Sequence, residues 1–224
     1  MTGSSLFSRN IHYYQIPVTM EENKNELLQC IANHLIINAG FLDNLGLYHG
    51  KTGIILFFVH YARFTGNPIY DEIAGELLDE IIEEIHDGIA TDFENGLSGI
   101  GWGLLYLLKN KFMDGNPDEI LEDIDKKLME INLPRLTDFS IERGLAGISI
   151  YLSARLSAGN TVYPFDTEYL SNWQKAISGK NIEAELDLYS IINQGTATAV
   201  QELQKKSLGL QDGYAGLGLK LMEI

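Results

Sequence analysis

The sequence predicts an all-α fold, an α/α toroid built from helical-hairpin repeats, and three observations support it. A six-residue motif occurs four times: a polar residue, Gly, any residue, a small residue, Gly, and Ile or Leu. An apolar run of helical character follows each copy, and the leading glycines are 46, 48 and 69 residues apart. The turn sequence Gly-Asn-Pro also occurs twice, at 66–68 and 115–117. Such periods are typical of repeat proteins, whose single units cannot bury their own apolar faces.

The motifs start at His49, Asn95, Arg143 and Asp212, within a chain predicted to form one domain over residues 1–224. The first glycine of each motif is expected to allow a turn where a side chain would clash or where positive φ is required. The second is expected to let the following helix approach its neighbour closely. These structural glycines are Gly50, Gly53, Gly96, Gly99, Gly144, Gly147, Gly213 and Gly216.

Each repeat is predicted to contain an outer helix, a polar loop, the glycine motif and an inner helix. Residues 1–20 show no period and are predicted to form an irregular lead-in. Apolar periodicity and turn residues set the remaining boundaries. The predicted helices are 22–38, an inner helix to about 64, 69–86, an inner helix to about 112, 118–130, an inner helix through 156, 167–177, 182–204 broken at Gly195, and a short helix after the last motif.

Composition excludes several classes of protein. The chain has 16 Lys and Arg against 31 Asp and Glu, a formal charge of −15, which repels nucleic acid and anionic membranes. Cys30 is the sole cysteine, which excludes an internal disulfide and favours a reducing compartment. With no apolar leader and no long apolar run, the sequence predicts a cytoplasmic protein without a membrane span.

One pair of residues could suggest a metal site. Cys30 and His34 lie four residues apart on the first predicted helix and could share a face. They supply only half of a tetrahedral set, and cysteine is common in cores as a small apolar residue. The sequence therefore predicts no metal and no cofactor.

Three blocks of sequence resemble the lanthionine synthetase C-like family: 46–54, 93–103 and 209–219, each containing a glycine motif. The resemblance covers most of residues 40–160 and the last sixteen residues. It implies an α/α toroid whose active end lies at the N-termini of the inner helices. It also implies zinc, which the family's cyclases hold with two cysteines and a histidine to activate a peptide thiol for addition to a dehydroamino acid.

This chain departs from the family pattern at the zinc ligands. The family's ligand cysteines lie in later repeats, one of them in a Cys-His-Gly motif, whereas Cys30 precedes every motif and no Cys-His pair occurs. His49-Gly50 resembles the family's first-repeat His-Gly, which does not bind zinc. The family has seven hairpins, so four motifs imply a shortened toroid that is incomplete or open.

The first functional hypothesis is a non-catalytic peptide-binding or accessory protein in lanthionine-type ribosomal peptide maturation. Its partner would be a peptide substrate or an enzyme of that pathway. Arg143 could bind a peptide carboxylate with two hydrogen bonds, whereas Asn95 and Asp212 could instead cap the inner helices. The candidate peptide-binding residues are Tyr48, His49, Asn95, Trp102, Arg143 and Asp212, with Tyr48 and Trp102 as apolar walls and Glu142 in the same loops.

Two alternatives remain. Six-hairpin glycosidases share the α/α toroid and use paired carboxylates, for which Glu94 and Glu142 are the weak catalytic candidates. The chain could also be a degenerate, inactive paralogue. An open array exposes repeat faces, and these would favour homo-oligomers.

Overall fold

The computed structural model describes residues 20–85, 88–158, 164–182, 185–193 and 207–224. This part of the chain contains ten α-helices, a 3-10 turn at Leu133–Arg135 and no strand. The predicted all-α fold is therefore confirmed. The helices are α1 (Met20–Ala39), α2 (Lys51–Thr65), α3 (Ile69–Glu84), α4 (Leu97–Lys109), α5 (Pro117–Ile120), α6 (Glu122–Met129), α7 (Leu145–Leu156), α8 (Thr167–Ile177), α9 (Leu188–Asn193) and α10 (Tyr214–Met222).

The four helices that follow the glycine motifs form the inner layer. Helix α4 packs against α2 and α7, while α10 packs against the other side of α2. Two outer helices pack on the inner helix that precedes them, α3 on α2 and α6 on α4. Helix α8 packs mainly against the 3-10 turn, and it also meets α7, where Trp173 Nε1 donates to Ser149 Oγ at 2.9 Å. The packing unit is thus an inner helix with the outer helix after it.

Helix α1 joins the beginning of the described chain to its end. It packs against α10, and the His34 ring lies 4.2 Å from the Tyr214 ring between centroids. The inner helices consequently follow one another in the order α10, α2, α4 and α7, with the last motif beside the first. The predicted incompleteness of the toroid rests on the family's repeat number and stays a prediction.

Both Gly-Asn-Pro turns begin outer helices, as the repeat predicts. Asn67 Oδ1 accepts from the Ile69 amide at 3.2 Å at the start of α3. Asn116 Oδ1 accepts from the Asp118 amide at 3.0 Å at the start of α5. Each asparagine satisfies an amide that has no partner within its helix, and proline follows where an amide hydrogen is dispensable.

Two predicted helices differ from the structure. The helix predicted over 118–130 is divided at Leu121, which is fully buried and has φ −105°. The helix predicted from Ile182 begins only at Leu188, because the Asp187 side chain accepts from the Ser190 amide at 2.7 Å and starts the helix there. Residues 194–206, including Gly195, and residues 1–19 of the lead-in lie outside the described residues.

A buried charge network fixes α5 and α6 against α7. Arg155 is 1% exposed, and its Nε donates to Asp125 Oδ2 at 2.8 Å while its Nη2 donates to Asp118 Oδ1 at 2.9 Å. The Tyr151 hydroxyl donates to Asp125 Oδ1 at 2.6 Å. Because buried charges are tolerated only when paired, this network fixes how the two layers fit together.

Candidate functional site

Every glycine motif closes its loop with the same backbone hydrogen bond. The first residue of each inner helix donates its amide to the carbonyl seven residues earlier. These bonds join Lys51 to Asn44 (2.8 Å), Leu97 to Ala90 (2.8 Å), Leu145 to Asp138 (3.0 Å) and Tyr214 to Ser207 (2.9 Å). We name the four segments loop 1 (44–51), loop 2 (90–97), loop 3 (138–145) and loop 4 (207–214).

The motif glycines are required because backbone atoms of the same loop lie where a side chain would be. A Cβ on Gly99 would lie 2.0 Å from the Phe93 carbonyl oxygen, and the other second glycines face the equivalent oxygen. A Cβ on Gly50 would lie 2.3 Å from the Gly46 nitrogen. The φ of Gly50 is −116°, so of the two reasons expected for the first glycine the side-chain clash applies and a positive φ does not. The second glycine also allows close approach to the neighbouring repeat, since a Cβ on Gly147 would lie 2.4 Å from the Phe93 Cβ, although the closest atom belongs to its own loop.

Backbone hydrogen bonds also join the loops to one another. The Leu210 amide of loop 4 donates to the Tyr48 carbonyl at 2.7 Å. The Tyr48 amide of loop 1 donates to the Glu94 carbonyl at 2.9 Å, and the Glu94 amide of loop 2 donates to the Glu142 carbonyl at 2.9 Å. The loops therefore lie side by side in the order 4, 1, 2, 3, at the N-terminal end of the inner helices.

Three side chains meet on this end, one from each of loops 1, 2 and 3. His49 Nε2 lies 3.1 Å from Glu94 Oε1, and Arg143 Nε donates to Glu94 Oε2 at 3.0 Å. The side chains of His49, Glu94 and Arg143 are 34%, 12% and 72% exposed. Glu94 is thus a largely buried carboxylate that holds two more exposed cationic or polar groups. We refer to these residues as the triad.

The triad chemistry follows from the kinds of atoms that meet. A carboxylate only accepts, so the contact with His49 requires a proton on Nε2. The hydrogen bond to Glu94 is the largest cause that raises the pKa of Arg143 above its ordinary value. Because Glu94 engages Nε, it orients the guanidinium plane while the terminal amino groups extend from a highly exposed side chain. An oriented guanidinium is suited to a planar carboxylate.

Neither Asn95 nor Asp212 caps an inner helix, so that expectation is wrong. The N-cap residues are Gly96 and Gly213, and neither helix start has a side-chain cap. Asn95 Oδ1 instead accepts from Asn44 Nδ2 at 2.8 Å and links loop 2 to loop 1. Asp212 is exposed with φ 50° in loop 4, a conformation that aspartate tolerates better than most residues.

Tyr48 and Trp102 lie in the core beneath the triad. Tyr48 is 0% exposed and Trp102 is 5% exposed. Phe93 lies between them, 6.0 Å from each ring between centroids. Burial, and then the carboxylates of Glu142 and Glu94, raise the pKa of Tyr48 well above its ordinary value, so its phenol is neutral. Both rings support the loops from inside, and contact of either with a peptide stays a prediction.

The two candidate catalytic carboxylates occupy neighbouring loops. Both oxygens of Glu94 are within hydrogen-bond distance of His49 or Arg143. Glu142 is half-buried, and its backbone carbonyl accepts from the Phe93 and Glu94 amides. The sequence suggested His49 and Arg143 for peptide binding and Glu94 for catalysis, and the structure brings all three together. His49 and Arg143 directly precede the first motif glycine and Glu94 lies two residues before it, so their places in the repeat are the signal that could have grouped them.

A family comparison identifies the fold. A sequence profile of the lanthionine synthetase C-like proteins matches residues 42–224, which include all four motifs. The chain belongs to the lanthionine synthetase C-like family. A search of curated proteins found no match. This lanthionine synthetase C-like protein has, in the described part of the chain, no helix of the length and apolarity that crossing a membrane requires.

Zinc, which the family resemblance implies, does not fit the residues of this lanthionine synthetase C-like protein. Two thiolate ligands require two cysteines, and the sequence contains one. Cys30 is exposed on α1, and the His34 ring on the same helix packs against the Tyr214 ring. Among the described residues, no three His, Cys, Asp or Glu side chains are grouped so as to hold a metal ion. The prediction that the protein works without a cofactor nevertheless stays a prediction.

Proposed function

We propose that this protein binds a peptide at the N-terminal end of its inner helices, in a non-catalytic accessory role in lanthionine-type ribosomal peptide maturation. The observation that carries the proposal is the arrangement of Arg143. Its side chain is 72% exposed, yet its Nε is held by a carboxylate that is only 12% exposed. Anchoring the guanidinium in this way lowers the entropy lost when a ligand binds.

The ligand group that fits Arg143 is a carboxylate, at a peptide C-terminus or on an acidic side chain. Arginine binds this group with two parallel hydrogen bonds. His49 adds a polar ring that is one-third exposed on the other side of Glu94. At long range the formal charge of −15 attracts cationic peptides. Arg143 would therefore bind the peptide carboxylate only at short range, once the peptide is at the surface.

The accessory role is favoured over catalysis by the way Glu94 is used. A glycosidase needs one carboxyl group that gives a proton and a second that attacks or activates water. Both Glu94 oxygens already meet protein donors, so neither is presented to a substrate. A zinc cyclase needs a thiolate set that these residues do not supply. No observation in the described residues favours either enzyme.

An array of synthetic random 12-residue peptides, each with a free C-terminus, tests the proposal. We expect a subset to be retained by the wild-type chain, and expect Arg143→Ala to lose that subset by at least tenfold. Lys109→Ala is the control, since it removes a positive charge from an exposed side chain at the far end of α4. Retention by Arg143→Ala equal to wild type would contradict the proposal. If the same peptides were still retained after their carboxylates had been converted to amides, that result would also contradict the proposal.

A further inference from the structure

We infer that an open groove beside the triad binds a lysine or arginine side chain of the same peptide, an inference that rests on the proposed function. The groove has a volume of about 420 Å³ and lies between loop 1, loop 2 and the C-terminal end of α3. It is lined by Asp43, Asn44, Leu45, Glu83, Glu84, Ile89, Ala90 and Asn95. Because Asn95 directly follows Glu94, one short peptide could reach both the groove and Arg143.

The charges at the groove favour a cation. Lys51, which is 3% exposed, places its Nζ 2.7 Å from Glu80 Oε2 and 3.6 Å from Glu84 Oε1. Lys51 thereby compensates the acidic residues on one side. Asp43 and Glu83 are exposed, and no cation among the described residues forms an ion pair with either. Their two carboxylates are the part of the rim that a ligand cation can neutralise.

The end of α3 contributes a second, independent preference for positive charge. This helix of 16 residues ends at Glu84 on the groove, and its last turn contains no basic residue. The last carbonyl groups of a helix carry a partial negative charge that attracts cations. Lys51 supplies one cation beside this helix end through Glu80 and Glu84, and a ligand cation at Asp43 and Glu83 can add to it.

The remaining walls suit the aliphatic part of a long basic side chain. Leu45 is 7% exposed, and Ile89 and Ala90 add further apolar surface. Lysine and arginine commonly bury their methylene groups along apolar surface while their charged ends meet polar groups. The amides of Asn44 and Asn95 bond to each other at 2.8 Å, which keeps this part of the groove fixed. A cationic side chain fits this combination better than an acidic or purely apolar one.

Small amino-acid probes test the groove without knowledge of the natural peptide. Nα-acetyl-lysine methylamide is titrated into the full ¹⁵N-labelled chain, and Nα-acetyl-norleucine methylamide serves as the uncharged probe of similar shape. We expect the lysine probe to shift the amide signals of Asn44, Ile89 and Ala90, and to bind at least fivefold more tightly than the norleucine probe. Equal binding of the two probes would overturn the inference.

Two double variants assign the effect to the rim. Asp43→Asn with Glu83→Gln should weaken the lysine probe at least fivefold, because both rim charges are lost. Glu76→Gln with Asp79→Asn is the matched control, since these exposed residues of α3 lie outside the groove lining. Urea midpoints equal to wild type establish that all variants are folded. Unchanged lysine binding in the rim variant, or equal loss in the control, would overturn the inference.

Arg143→Ala separates this inference from the proposed function. It should abolish retention on the peptide array while the lysine probe binds as it does to wild type. Array retention by Arg143→Ala would defeat the proposed function and leave the groove result standing. Loss of selectivity for lysine in the wild-type chain would defeat the groove inference alone.

Discussion

At each end of the α2 and α4 pair a histidine contacts a side chain of the next repeat, but the two contacts have different surroundings. At the loop end, His49 beside α2 meets Glu94 beside α4, with 3.1 Å between Nε2 and Oε1. At the far end, His60 of α2 meets Tyr106 of α4, with 2.9 Å between Nε2 and Oη. The sequence separations are 45 and 46 residues, so both contacts repeat with the period of the chain.

The surroundings separate the two ends. The His60 ring packs on Phe112 with centroids 4.8 Å apart, and burial, helped by Arg63, lowers the pKa of His60 to about 4. His60 is therefore neutral and serves packing. The loop end instead presents charged atoms at the surface, where ion pairs contribute at most about 1 kcal/mol to stability. The far end thus stabilises the fold through buried contacts, whereas the loop end exposes charged side chains, to which the proposed function assigns peptide binding.

The largest effect should come from adding a Cβ at Gly99, where the loop backbone leaves no space for a side chain. In Gly99→Ala the new Cβ would lie 2.0 Å from the Phe93 carbonyl oxygen, so the loop must move. We expect unfolding free energy to fall by more than about 3 kcal/mol in urea titrations. Gly75→Ala in α3 is the control, because nothing lies within 4 Å of its Cβ. That change should raise stability by about 0.5–1 kcal/mol. A Gly99→Ala variant as stable as wild type would contradict the close contact between this position and the Phe93 carbonyl.

The next effect is a pH dependence that belongs to the far end. The folded pKa of His60, about 4, is below the ordinary value of 6.5, so the unfolded chain binds the proton more readily. Its contribution is complete above pH 6.5 and is lost as pH falls toward 4. We expect a loss of about 1–3 kcal/mol between pH 7 and 4.5 from this residue. His60→Gln should remove that part of the pH dependence in urea titrations. If the dependence of unfolding free energy on pH is unchanged in this variant, another group is responsible for it.

Local pattern was enough to predict most helices but not how they meet. Helix α8 was predicted at Thr167–Ile177 and is observed there, because its apolar period and start are local. The packing of α1 on α10 depends on residues at opposite ends of the described chain, which no local pattern connects. The triad was missed as a unit for the same reason. Glu94 was chosen for catalysis, while its contacts come from loops about one repeat away.

A smaller effect on stability should accompany a large effect on binding in Glu94→Gln. The amide keeps the size of the side chain but can no longer accept charged hydrogen bonds at both positions. We expect a stability loss of about 1 kcal/mol or less, because Arg143 is mostly exposed. Array retention should fall at least tenfold, because the guanidinium loses its anchor. Wild-type retention in this variant, measured on the same peptides, would show that anchoring by Glu94 is unnecessary.

The smallest effect concerns loop 4, which contributes no side chain to the triad. Asp212 has φ 50°, a conformation that glycine adopts without strain. Asp212→Gly should therefore raise unfolding free energy by up to about 1 kcal/mol, or leave it unchanged if the greater freedom of the unfolded glycine offsets the gain. Retention of array peptides should match wild type. A loss of retention in a stable variant would instead add Asp212 to the binding site.

The seam between loop 4 and loop 1 also has a kinetic consequence. The Tyr48 carbonyl accepts from both the Leu210 and Gln211 amides, and α1 packs on α10 beside it. Contacts between such distant segments form late, since chain entropy must first be lost, whereas α2 and α3 can pair at once. We expect stopped-flow refolding to show helix formation by circular dichroism before a slower phase. A fluorescent dye on Cys30, an exposed residue of α1 and the sole cysteine of the chain, should report that slower phase, because α1 packs on α10 only after the helical hairpins have formed.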